Sequence, residues 1–216
     1  MDKPHIEVTG FAARFYDALV LIGTAGLYQG VLKKAIAEME ISPEDRILDL
    51  GAGTGKNACM MRRRLSRDGN ITALEVGSVM QKQFRRKCRK YDNVTLLDRR
   101  IENTLPFNGE FNKVLLSFVI HGFEQEMRET ILRNAFTALK PGGTLYIFDW
   151  NEMELYLQGP LFRFFMWHLE CPEARDFITT DFKKVLSRIG FSVMREILFA
   201  GGKIRLLSAV RRGTGA

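Results

Sequence analysis

Five runs rich in Val, Ile and Leu, at 46–50, 70–75, 94–97, 112–118 and 143–149, alternate with helical patterns at 28–39, 55–66, 78–90 and 125–139. Strict alternation of strand and helix leaves few architectures open, because each helix must cross a sheet face to bring the next strand in parallel to the last. Pro141-Gly142-Gly143 stops the last of these helices and turns the chain into a strand. After Asp149 the alternation breaks. Residues 151–178 are crowded with large side chains, among them Leu161, Phe162, Phe164, Phe165, Met166 and Trp167. A helix at 180–189 opens near Thr180 or Asp181 and closes before Gly190, and strands near 191–199 and 203–211 flank the hairpin signal Gly201-Gly202. The expectation is a Rossmann-like, doubly wound α/β fold: a seven-stranded, mostly parallel sheet with a C-terminal antiparallel hairpin and helices on both faces. At 216 residues this is one domain, with N-terminal helices (1–40), a ligand-binding core (46–149), an aromatic-rich insertion (150–178) and a closing helix with two strands (179–211).

The first strand runs into Asp49-Leu50-Gly51-Ala52-Gly53-Thr54-Gly55, where strand becomes helix. Backbone without a Cβ can turn tightly and let a ligand lie against it, and amides at the start of the next helix point at whatever binds. Three ligand classes use such loops, and spacing separates them. A nucleotide P-loop has four residues between its glycine and a Gly-Lys pair, then Ser or Thr. Here three residues separate Gly51 from Gly55-Lys56, and Asn57 follows. A nicotinamide loop needs a third glycine where Lys56 stands. What remains, Asp-x-Gly-x-Gly-x-Gly, fits an S-adenosylmethionine site. Glu75, ending the second strand, lies where a carboxylate can accept hydrogen bonds from both ribose hydroxyls.

These residues, with Leu105-Pro106-Phe107, Leu139-Lys140-Pro141-Gly142-Gly143 and Phe148-Asp149-Trp150, resemble class I S-adenosylmethionine-dependent methyltransferases, most closely the ubiquinone and menaquinone biosynthesis subgroup. The resemblance covers about residues 11–150 and is specific for the cofactor, not the acceptor. It implies that Asp49 faces the amino end of the cofactor's methionine part, with Gly51, Ala52, Gly53 and Gly55 wrapping the ligand. It places Glu75 on the ribose, Val76 and Met80 beside the adenine, and Ser117 near the methyl that is transferred. Tyr16 matches an N-terminal aromatic that closes over the cofactor. The family's acid for the adenine amino group falls here on Arg100 or Ile101, leaving Asp98, Glu102 or the backbone at Ile101 to read that edge.

Methyl transfer from a sulfonium needs orientation first, and a base only where the acceptor must lose a proton. Of three histidines, His5 is N-terminal, His168 lies in the aromatic insertion, and His121 follows the fourth strand at the sheet edge where α/β sheets place their sites. His121 is therefore the candidate base. No Pro-Pro-aromatic run follows the fourth strand, which disfavours base amino groups as acceptors. Asp149 and Asn151 lack a carboxylate partner at Ser117, so no resident metal is expected. Arsenic chemistry needs converging thiolates, and Cys59 and Cys88 are expected on helices away from the site edge, leaving at most Cys171. The aromatic insertion suits an apolar or lipid-like acceptor, with a quinone precursor and a phospholipid headgroup as concrete candidates.

Net charge is +7, and residues 62–100 hold twelve Lys or Arg against four acids. Such a face attracts an anionic membrane surface or nucleic acid, or is simply solvated. The absence of an added domain disfavours a large folded RNA. Three scattered cysteines, no leader pattern and no apolar run long enough for a bilayer give a cytoplasmic protein, with peripheral membrane contact as an extension. A nicotinamide oxidoreductase and a non-catalytic binding protein with a basic face are the competing readings.

Overall fold

The computed structural model describes residues 27–213. The strands β1 (Arg46–Leu50), β2 (Asn70–Leu74), β3 (Val94–Leu97), β4 (Phe111–Ser117), β5 (Leu139–Trp150), β6 (Phe191–Phe199) and β7 (Ile204–Arg211) form one sheet in the order β3-β2-β1-β4-β5-β7-β6. The first five are parallel to one another; β7 runs antiparallel to β5 and to β6. Alternating strand residues serve the two faces, as a sheet covered on both sides requires. Ile47, Leu115, Tyr146 and Phe148 pack with helices α1 (Leu27–Ala37), α2 (Lys56–Arg62) and α3 (Ser78–Cys88). Leu48, Leu50, Val114, Leu116 and Ile147 face α4 (Gln125–Ala138) and α7 (Phe182–Ile189). The chain leaves β1 for β2 and β3, then returns to β4 on the other side of β1, so a crevice opens at the carboxyl ends of β1 and β4.

Two expected boundaries move. The helix expected to reach residue 66 stops at Arg62, and the Ser66 amide instead donates to the Pro43 carbonyl. Strand β5 begins at Leu139 rather than after Pro141-Gly142-Gly143: Leu139 pairs with Phe111, and pairing resumes at Thr144 opposite Lys113. The Pro-Gly-Gly triplet is accommodated as an irregularity within the strand, not as a break before it. Helix α7 starts as read, with the Asp181 carboxylate accepting from the Lys184 amide at 2.9 Å, and Gly190 follows its end. The insertion folds as α5 (Pro160–His168) and α6 (Pro172–Phe177) beside the carboxyl edge of the sheet.

Candidate active site

One side of the crevice is built from backbone. The Gly51 and Ala52 amides donate to the Leu74 carbonyl, at 3.0 and 2.9 Å, which ties the loop after β1 to the end of β2. Gly51 has φ +75°, and a Cβ there would lie 2.5 Å from Val119 Cγ2, so the loop and the segment after β4 meet at a distance only glycine permits. Gly53 also has positive φ, but a Cβ there would project into open space, where a ligand can lie. The Glu75 carboxylate crosses to this loop: Oε2 accepts from the Gly53 amide at 2.9 Å, and Oε1 from the Val76 and Gly77 amides at 3.0 and 2.7 Å. Gly51, Glu75, Val76, Ile101, Val119 and Phe123 line the resulting cleft.

Beneath the loop, Asp49 is fully buried and neither carboxylate oxygen has a hydrogen-bond partner. Burial, and secondarily the Glu75 charge, push its pKa up to about 7. Across the crevice the buried Ser117 hydroxyl is also unpartnered. Buried polar groups are rarely left so, and two of them at one strand edge point to a polar ligand.

The other side is built from side chains. His121 sits in a single 3-10 turn, Ile120–Gly122, directly after β4. Its Nδ1 is 2.6 Å from Asp149 Oδ1, and Asp149 also accepts from the Trp150 amide at 2.8 Å. Register explains the pairing: Ser117 lies beside Phe148, so Asp149 emerges just past the end of β4. Burial works against a charged His121 ring, but the Asp149 carboxylate and its hydrogen bond, joined by Glu170, hold the pKa above its ordinary value. Phe118 holds φ +50°, an uncommon conformation for a bulky residue, and its ring meets Phe148 and Trp150 edge-on at 5.2 and 5.4 Å. Phe162 and Phe165 of α5 pack on Trp150 at 5.8 and 5.9 Å. His121 thus stands in a wall of aromatic rings.

A methyltransferase-domain family model matches residues 47–143. An uncharacterized methyltransferase of Synechocystis sp. is 27% identical over 175 residues, 81% of this chain and 79% of that protein. A ubiquinone/menaquinone biosynthesis C-methyltransferase (UbiE) of Xanthomonas campestris is 26% identical over 161 residues, 73% of this chain and 63% of that one, so the chain spans less than two thirds of that relative. A solved S-adenosylmethionine-dependent methyltransferase from Aquifex aeolicus superposes with a TM-score of 0.63 at 20% identity, over 83% of this chain and 89% of the other. Residues 47–143 thus carry a methyltransferase domain, on the fold of solved S-adenosylmethionine-dependent methyltransferases.

The residues of the crevice fit S-adenosylmethionine. A buried carboxylate with two free oxygens suits an ammonium group, which would satisfy Asp49 and draw it into its charged form. Glu75 Oε2 holds one amide and keeps lone-pair capacity for a ribose hydroxyl. Val76 and Ile101 line the cleft, while Met80 is buried and packs against Gly77. Of the neighbouring acids, Glu102 lines the cleft but is paired with Arg100 at 2.9 Å, and Asp98 faces a separate surface groove. Tyr16 and His5 lie outside the described residues. His168 is exposed on α5 with its ring 4.5 Å from that of Phe164.

One expectation is corrected. Cys59 and Cys88 are on helices, as read, but they converge, with sulfurs 3.2 Å apart and Cys88 behind Gly55. A hydrogen bond from Cys88 lowers the Cys59 thiol to about 7 against burial, helped by Lys87, Lys90 and Arg63. Consecutive helices α2 and α3 pack side by side on one face, which sequence distance hides. Two further residues escaped the sequence reading. Arg128, fully buried in α4, donates to Asp176 Oδ2 and to the Glu173 carbonyl, both at 2.6 Å, and so pins α6 beside His121. Glu170 accepts from the Trp150 indole at 3.2 Å. Neither belongs to a motif; an arginine amid the apolar positions of α4 was the one available signal.

Proposed function

We propose that the methyltransferase acts on an apolar, lipid-like acceptor whose nucleophilic atom sheds a proton to His121. The observation that carries this is the His121–Asp149 pair, 2.6 Å apart, set among aromatic rings at the carboxyl edge of β4. With its Nδ1 proton held by Asp149, the ring offers Nε2 as proton acceptor. When bound, the cofactor supplies an electrophilic methyl on a sulfonium. The acceptor's C–H or O–H proton would pass to His121 Nε2, on a ring that Asp149 holds in place. Asp49 and Glu75 fix the donor's ends, and the Phe118, Trp150, Phe162 and Phe165 rings exclude water from the acceptor. A ring-bearing quinone precursor is the first candidate, supported by the relative named for ubiquinone and menaquinone C-methylation. A phospholipid headgroup is the second.

The surface supports delivery from a membrane. Lys82, Arg85, Arg86, Arg89 and Lys90 of α3 and its end are exposed together, and no helix among the described residues is long and apolar enough to cross a bilayer. Co-sedimentation with vesicles should rise with anionic lipid content and fall with salt. Charge reversal at Arg85, Arg86 and Arg89 should reduce it, and indifference to lipid charge removes this extension. For the acceptor, methyl-labelled cofactor is incubated with protein and a cell extract, which is then split into lipid, aqueous and nucleic-acid fractions. Label in a quinone-ring lipid is expected; label only in RNA, protein or polar metabolites overturns the reading.

A further inference from the structure

His121 Nε2 and Glu170 Oε1 face each other across 3.7 Å, beyond hydrogen-bond reach. Nδ1 of the same ring is committed to Asp149, so Nε2 is the ring atom left to face Glu170. Nε2 and a carboxylate oxygen therefore face each other in side chains only 13% and 18% exposed. A positive charge belongs between them, either a proton on Nε2 or a metal cation that displaces it. A third donor stands beside them: His121, Glu170 and Cys171 each bring one ligand atom within 4.8 Å of the other two.

We propose that His121 Nε2, the Glu170 carboxylate and Cys171 Sγ form a binding site for Zn2+ or a similar soft divalent cation, with a fourth position left for a small ligand. Ligand atoms 2.0–2.3 Å from a tetrahedral zinc lie roughly 3.3–3.8 Å from one another, and the 3.7 Å span already meets this. The donor set selects the metal: nitrogen, oxygen and sulfur together suit zinc or cobalt, whereas magnesium and calcium demand a larger all-oxygen shell. The outer shell is in place as well. Asp149 orients the imidazole from behind, the arrangement metal-ligating histidines recurrently use. Glu170 is steered by the Trp150 indole at 3.2 Å and the Cys171 amide at 3.1 Å. Arg128 joins the two segments that carry the ligands, donating to the Glu173 carbonyl at 2.6 Å and the His121 carbonyl at 3.4 Å.

The site shares His121 with the base assigned above and gives that base a control: a cation on Nε2 takes the lone pair the acceptor proton needs. Zinc and acceptor proton then compete for one atom. Binding releases the thiol proton of Cys171 and changes no oxidation state.

The test uses the full chain, reduced, stripped of metal with a chelator, and titrated with Co2+ alone. Expected are one equivalent bound, a thiolate-to-cobalt charge-transfer band with strong four-coordinate visible bands, and displacement by one equivalent of Zn2+. Cys171→Ser should abolish the charge-transfer band, and Glu170→Gln should weaken Co2+ binding at least tenfold. His121→Ala should do the same, with circular dichroism checking its fold. The paired thiols Cys59 and Cys88 are the competing site, so the double variant Cys59→Ser/Cys88→Ser should keep the band. No band in the wild-type chain, a band surviving Cys171→Ser, or a band lost in the Cys59/Cys88 variant each overturns the proposal. Neither cofactor nor acceptor is present, so failure here leaves the base reading standing, and failure of that reading leaves the metal site testable.

Discussion

The two walls of the crevice are made in different ways. The cofactor wall comes from short, local stretches, 49–55 and 75–80, and its contacts are mostly backbone: amides of Gly51 and Ala52 on Leu74, and of Gly53, Val76 and Gly77 on Glu75. The wall proposed for the acceptor is gathered from the segment after β4, the end of β5, and α5 and α6, and it is mostly side chains. The first wall leaves polar atoms waiting for a partner, the two carboxylate oxygens of Asp49. The second spends its polar atoms on itself, His121 on Asp149 and Arg128 on Asp176, and turns rings to the space between. Backbone recognition suits a ligand of fixed shape; a side-chain wall can be recut for a new acceptor while the loop stays the same.

Each half of that contrast can be broken separately. The largest effect is expected on the acceptor wall, where His121→Ala should lower turnover by about a hundredfold or more if the ring takes the acceptor's proton. Cofactor affinity, carried by the other wall, should hardly move. Turnover, affinity and melting temperature measured on one sample separate this from a packing role, which predicts a lower melting temperature with modest loss of activity. Near-normal turnover in a folded variant would remove His121 as the base.

Next comes the cofactor wall. Glu75→Ala should weaken cofactor binding by about 1–3 kcal/mol through loss of charge-assisted hydrogen bonds, read by calorimetry. Gly53→Val should hinder binding sterically, in space that is empty in the protein itself, and also strain a backbone held at φ +53°, so its melting temperature is measured beside its affinity. Unchanged affinity in both variants would sink the assignment of the loop.

A smaller effect follows from pH. The Asp49 pKa in the fold is about 7 against 3.8 as the ordinary value, so between those limits the folded state binds more protons than the unfolded one. Its contribution to stability therefore falls as pH rises through that window and changes no further above about 7. An ammonium ligand prefers the carboxylate, so binding must expel the proton below that pH. Cofactor affinity should drop by up to about tenfold per pH unit below 7 and level off above it. Asp49→Asn should bind weakly with no such slope; a slope that persists in that variant assigns the titration elsewhere.

The smallest effect tests the outer face of the insertion. Phe164 is 56% exposed, and Phe164→Ser should shift stability by no more than about 0.5 kcal/mol in denaturant unfolding. A large loss would mean that α5 packs as a core helix on both faces, which would remove the difference between the walls.

By itself the sequence determined the fold class, the seven strands in order and the cofactor loop, because each rests on local rules. Strand runs alternate with period two, glycines fall where backbone must turn, and Asp49 and Glu75 stand at strand ends that the pattern locates. Met80 is buried, and the adenine edge stayed open in sequence because Arg100 or Ile101 stands where the resemblance puts an acid. Only the tertiary structure decided the acceptor wall. His121 could be singled out from its place after β4, yet its partner depends on β5 lying beside β4 in one register, with Asp149 just past Ser117. Glu170, Cys171 and Arg128 meet it because α6 folds back over the edge, and Cys59 finds Cys88 because α2 and α3 share a face. Backbone geometry is written within a few residues of chain, whereas side chains from distant segments converge only where packing brings them together.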